Sequence, residues 1–229
     1  MKATTTVLLF AMSLAPPAAA QRRPPQPPPR RAPAPPPLPP APPISFRPFV
    51  LGTLESFAAI DTFDAVFQRS YGPFFGGGLQ VVFHGSFFVE LAASRFKQTG
   101  ERAFRSGGQS FRLGIPLTAT ITPLEVTGGY RFRLRHLPKV VPYVAAGFGS
   151  YSFKETSDFA DAAENVDTRH SGTVLGGGLE FRLHRWVGLG ADVQYTHVTG
   201  ILGQGGVSQQ AGENDLGGVA ARFKLVVGR

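Results

Sequence analysis

From Phe46 onward, apolar and polar residues alternate with a period of two. That spacing puts successive side chains on opposite faces of a β-strand. Eight such runs are predicted, at 47–58, 73–84, 86–97, 117–134, 140–153, 170–184, 186–199 and 215–228. In the fourth run Leu124, Val126, Tyr130, Phe132 and Leu134 share one face, and Glu125, Thr127, Arg131 and Arg133 the other. In the seventh, Val187, Leu189, Ala191, Val193 and Tyr195 oppose Gly188, Gly190, Asp192, Gln194 and Thr196. In the eighth, Val219, Phe223, Leu225 and Val227 oppose Gly218, Ala220, Arg222 and Lys224. Long amphipathic helix patterns are absent, so the chain reads as all-β.

One hairpin is written twice. GGGLQVVFHGSFFVEL, Gly76 to Leu91, returns as GGGLEFRLHRWVGLGA, Gly176 to Ala191, with His84 falling on His184. Each copy predicts a strand, a tight turn and a strand.

Alternation alone does not say which face points outward. A soluble lipocalin-like barrel buries its apolar face, whereas a membrane barrel turns that face to lipid. Two features favour the membrane. The polar face carries few solvating side chains and many small ones, among them Gly76, Gly78, Ala92, Ser94, Gly176, Gly178, Gly188, Gly190 and Gly218. Such residues suit the crowded inside of a narrow barrel. The links also alternate in length. Those at 84–86, 135–139 and 184–186 are short, and those at 59–72, 98–116, 154–169 and 200–214 are long. Outer-membrane barrels show this asymmetry, with short periplasmic turns and longer outer loops. An even number of strands closes the sheet and leaves no unpaired edge in lipid. The expectation is an eight-stranded antiparallel up-and-down transmembrane β-barrel, monomeric, embedded in outer-membrane lipid.

The stretches VTGGYRFRL, VPYVAAGFG and GGGLEFRLHRWVGLGADVQY carry a family likeness. Over residues 46–229 the chain resembles the outer-membrane β-barrel domain family of small eight-stranded proteins, akin to the OmpA and OmpX barrels. The resemblance implies insertion by the barrel-assembly machinery in the outer membrane of a Gram-negative-type bacterium, with linker and C-terminus periplasmic. It departs from the family at its end: such barrels usually finish on an aromatic residue, and here Phe223 is the last one. The motifs are specific for architecture and carry no catalytic signature.

Residues 1–20 read as a signal peptide, with Lys2, an apolar core Val7–Leu14 and a cleavage pattern ending at Ala20. The core is far shorter than the roughly 20 residues of a spanning helix. Residues 21–45 form a Pro-rich basic linker, expected to be disordered and extended, and a candidate contact with peptidoglycan or other envelope components. Residues 46–229 are the barrel domain. Cysteine is absent, so stability must come from burial and backbone pairing. The net charge of +8 invites a nucleic-acid partner. Setting aside Lys2, Arg22, Arg23, Arg30 and Arg31, however, leaves 18 basic residues against 15 acidic ones, and no nucleic-acid partner is expected.

Candidate chemistry is sparse. The five histidines, His84, His136, His170, His184 and His197, have no metal-ligand spacing. His197 with Asp192 or Thr196 is the one arrangement that suggests a hydrolase acting on lipid A, and it lacks an identifiable serine partner. The loop Lys154–Thr168 carries Glu155, Asp158, Asp161, Glu164 and Asp167 without the glycine and oxygen spacing of a calcium loop. No catalytic residue, cofactor or metal is predicted, and the chain is not expected to be an enzyme. What phase does predict is a lumen charge network. Glu90, Glu125, Glu180 and Asp192 fall inward, together with Arg131, Arg133, Arg182, Arg222 and Lys224. Buried charges must pair, so the expected role is structural or surface-interacting, through four long outer loops around a lumen plugged by charged side chains. The alternatives are a narrow pore, a soluble periplasmic lipid-binding barrel and a lipid A-modifying hydrolase.

Overall fold

Alternating residues of high β-propensity form strands only where each strand finds two partners. Here the partners close a ring. A computed structural model describes residues 43–107, 109–157, 166–204 and 206–228. The eight strands are β1 (Ile44–Phe57), β2 (Tyr71–Phe83), β3 (Phe87–Ser106), β4 (Gln109–Arg131), β5 (Val140–Thr156), β6 (Val166–His184), β7 (Val187–His197) and β8 (Gly218–Val227). Each pairs antiparallel with its sequence neighbours, and β1 pairs with β8 from Phe49↔Val226 to Phe57↔Gly218. The predicted signal peptide, the linker up to residue 42 and the acidic residues 158–165 lie outside the described residues.

Strand phase holds throughout. Val50, Leu79, Val89, Val126, Leu175, Val193 and Phe223 are exposed on the outside, and Arg47, Gln80, Glu90, Glu125, Glu180, Asp192 and Lys224 are buried inside. The glycines of both repeats occupy the inner phase or crowd against a neighbouring strand. A side chain at Gly78 would meet the Leu91 carbonyl and the Phe49 ring. The repeats do form β2–β3 and β6–β7. Their turns differ, however: His84 and Gly85 both have positive φ, as a type I′ turn requires, whereas β6–β7 turns through a register shift between Arg182 and His184.

One predicted loop is wrong. Residues 98–116 are mostly strand, because β3 and β4 run on past the rest of the sheet as a two-stranded hairpin, with Phe104 opposite Phe111 and a bulge between Glu101 and Ala103. Charges at Lys97, Glu101, Arg102, Arg105 and Arg112 hid the alternation, since beyond the membrane neither face has to be apolar. Long links are therefore three in number. Two of them carry short helices that the sequence pattern did not announce, α1 (Ile60–Phe67) and α2 (Gly206–Ala211).

Candidate functional site

The barrel presents two places where chemistry could reside, its lumen and the end that carries the long links. The lumen is layered. Toward the short-turn end, side chains from all eight strands form one connected polar network. Arg47 gives Glu180 two hydrogen bonds, at 2.9 and 2.7 Å, and Arg131 gives it a third, at 2.8 Å. Arg47 also donates to Gln80 at 2.9 Å, and Gln80 donates to Glu90 at 3.0 Å. Lys224 joins Glu90 at 2.6 Å and Asp192 at 3.5 Å. Arg222 pairs with Asp192 at 2.5 Å and with Glu125 at 3.6 Å. The Tyr143 hydroxyl donates to Asp192, and the Tyr151 hydroxyl and the Gln194 amide to Glu125. The Lys224 ammonium lies 5.3 Å from the Phe49 ring centre and 5.7 Å from that of Tyr143. Four carboxylates thus meet four cations, each charge opposite its counterpart in a medium where an unpaired one would be costly.

Seven of the nine residues predicted for this network are in it: Glu90, Glu125, Arg131, Glu180, Asp192, Arg222 and Lys224. Arg133 and Arg182 are not. Both are exposed at the short-turn end. Arg133 donates instead to the backbone carbonyls of His84 and Gly85, tying the β4–β5 link to the β2–β3 turn. Arg133 lies two residues past the end of β4, and Arg182, still paired with Gly188 in the last turn-side residues of β6, is at the barrel mouth. Arg47, Gln80, Tyr143, Tyr151 and Gln194 complete the network. The phase of β1, in which Arg47 shares parity with Phe49, Leu51 and Thr53, was the available signal for the first.

Toward the long-link end the lumen turns apolar. Phe57, Phe74, Phe96, Ile121, Phe153, Val174 and Val198 form a buried cluster, with Tyr151 at its edge. Helix α1 lies over it: the Phe63 ring stacks on Phe57 with centroids 3.8 Å apart. The first turn of α1 is capped from another link, since Glu213 accepts from the backbone N–H groups of Asp61 and Thr62 and from the Thr62 hydroxyl. Arg105 on the projecting hairpin pairs with Asp61, and its backbone N–H donates to the Gln210 side-chain oxygen. Between these elements lies a cavity of about 510 Å³, lined by Phe63, Phe67, Phe104, Leu113, Ile201 and Val207, with Arg102 and Glu155 on its wall.

His197 does not face Asp192 or Thr196. It is on the outer face and joins Asp215 at 2.6 Å, while those two residues point into the lumen. Asp215 also accepts from the backbone of Val198 and Gly217, so the pair fastens the β7–β8 link to the rim. Of the acidic loop, Asp167 pairs with Lys154 at 2.7 Å across β5 and β6.

A closed ring of eight antiparallel strands with an apolar outside and a charged inside defines a transmembrane barrel of the outer-membrane class. The chain belongs to the outer membrane protein β-barrel domain family, which it matches over residues 49–223. Comparison with curated proteins by sequence returns no match. Among solved structures it is similar to the outer membrane protein OprG from Pseudomonas aeruginosa (12% identity, 81% of this chain and 95% of that one, TM-score 0.51). It is also similar to Neisserial surface protein A (11%, 80% and 96%, 0.46) and to Ail, the attachment invasion locus protein of Yersinia pestis (17%, 80% and 97%, 0.45).

Proposed function

We propose that this barrel is a non-conducting, non-enzymatic outer-membrane protein that acts through the surface formed by its long links and its projecting hairpin. The observation that carries this reading is the double filling of the lumen, by a charge-balanced network on the short-turn side and a phenylalanine-rich cluster on the other. An eight-stranded barrel is only wide enough for its own side chains, and here those side chains touch across it. In this reading the short turns face the periplasm, where the barrel-assembly machinery acts and where the Pro-rich segment reaches envelope components such as peptidoglycan. The long-link end, with its apolar cavity, faces outward and is the surface offered to a partner. A closed sheet leaves no strand edge to pair, which favours a monomer.

The test is planar-bilayer recording of the refolded protein. The expected result is no stable stepwise conductance. Large ohmic steps from the unaltered protein would replace this reading with that of a pore.

A further inference from the structure

The acidic residues of the barrel, unlike its cations, are segregated along its axis. Among the described acidic residues, Glu90, Glu125, Glu180 and Asp192 are buried in the lumen, and the others lie on the long-link half. Among the described residues the short-turn end has none on its surface. It carries Arg133, Arg135 and Lys139 on the β4–β5 link, Arg182 at the end of β6, and Arg185 in the β6–β7 turn, with His84, His136 and His184 among them. All five cations are exposed. The near-neutral sum of the folded part therefore hides a strongly basic end.

These cations are not spread evenly around the rim. The Arg182 backbone N–H donates to the Lys139 carbonyl at 2.8 Å, which sets the β4–β5 link against the end of β6. Arg133 reaches the β2–β3 turn. The result is one basic patch over the β4–β7 side. None of the five has a carboxylate within ion-pair distance among the described residues.

The patch borders a belt of exposed aromatic residues on the outer wall: Phe87, Tyr130, Phe132, Phe181 and Trp186. The Tyr130 ring meets Phe87 at 5.1 Å and Phe132 at 5.0 Å, and the Arg185 guanidinium lies 5.9 Å from the centre of the Trp186 ring. Aromatic belts sit at the level of lipid headgroups. Basic side chains just beyond such a belt are at the depth of the phosphates.

Resting on the membrane reading above, we infer that this patch is a docking site for anionic phospholipid headgroups in the leaflet around the short-turn end. The belt favours lipid over a polymer. Glu180 attracts Arg182 from within the lumen but is already shared by Arg47 and Arg131, so the five cations keep an excess of positive charge that needs counter-anions, and the belt fixes them where a bilayer supplies phosphate. Each cation near an anionic surface adds to such attraction, which salt screens.

The experiment uses the full chain refolded into phosphatidylcholine vesicles containing spin-labelled phosphatidylglycerol or spin-labelled phosphatidylcholine. It compares the unaltered protein with the triple variant Arg135→Gln/Lys139→Gln/Arg185→Gln, which leaves Arg133 and its turn contacts in place. Heat-modifiable migration is recorded first. A chain that fails to insert at all overturns the membrane reading itself. For inserted protein, the expected result is that phosphatidylglycerol is held about threefold more than phosphatidylcholine at low salt, that the preference falls as NaCl rises, and that the triple variant loses it while still inserting. Equal retention of the two lipids, or a preference that the triple variant keeps, overturns the proposal. So does sedimentation of the detergent-solubilised protein with peptidoglycan that the triple variant loses, since it would assign the patch to a polymer.

Discussion

Arg47 and Glu180 meet across the lumen through two hydrogen bonds, although β1 and β6 share no edge of the sheet. The pair is a strut between opposite walls. Arg131 loads the same carboxylate from a third strand. Removing Glu180 therefore leaves two guanidiniums without their carboxylate. Glu180→Ala is expected to cost about 3–5 kcal/mol, and the paired replacement Arg47→Met/Glu180→Leu less than that single change. Urea titration of the vesicle-folded barrel, followed by the fluorescence of the single tryptophan, checks both.

The cost of a charge on the lipid face should follow depth. Strand β7 has 11 residues, close to the span of one tilted transmembrane strand, so its middle marks the bilayer centre. Val193, exposed at 58%, sits there, whereas Leu225 is two residues from the end of β8 and pairs with Leu189 near the short turns. Val193→Arg should cost about 2–4 kcal/mol and Leu225→Arg about 0–1 kcal/mol. Equal costs in the same urea titration would show that the apolar wall does not face a bilayer.

The lid over the phenylalanine cluster depends on a carboxylate from another link. Glu213→Ala removes the cap of α1 and should cost about 1 kcal/mol. Phe63→Ala opens a hole against Phe57 and should cost about 3–5 kcal/mol. In both variants proteolysis of residues 58–70 should accelerate in inserted protein, while the barrel below stays protected.

Two glycines of neighbouring strands should respond oppositely to one methyl group. At Gly78 a Cβ would lie 2.0 Å from the Leu91 carbonyl oxygen and 2.7 Å from the Phe49 ring. At Gly52 it would meet nothing within 4 Å. Gly78→Ala should lower the fraction that folds, read as the loss of the heat-modifiable band, and Gly52→Ala should leave that fraction unchanged or raise it, since alanine has less chain entropy to lose.

Period-two alternation determined the eight strands and which residues share a face. A one-residue slip in any of them would put an apolar row into the lumen and a charged row into lipid. Small residues on the polar side and alternating link lengths then selected a closed membrane barrel over a soluble one. That local signal also placed seven of the charged lumen residues, because inward phase is a property of the strand alone.

Which inward residue meets which is another matter. Arg47 and Glu180 are 133 positions apart and come together only because the ring closes at a particular width and stagger. The same closure left Arg133 past the end of its strand and Arg182 exposed at the mouth. The hairpin formed by residues 98–116, the helix α1 and its cap from Glu213 were not legible either. Outside the bilayer no face must be apolar, so pattern carries little information there, and these elements are held by contacts between separate links. The sequence by itself determined the wall of this protein. Only the tertiary structure decided which of its inward charges meet, what covers it, and that the cations at one end stand without surface acids beside them.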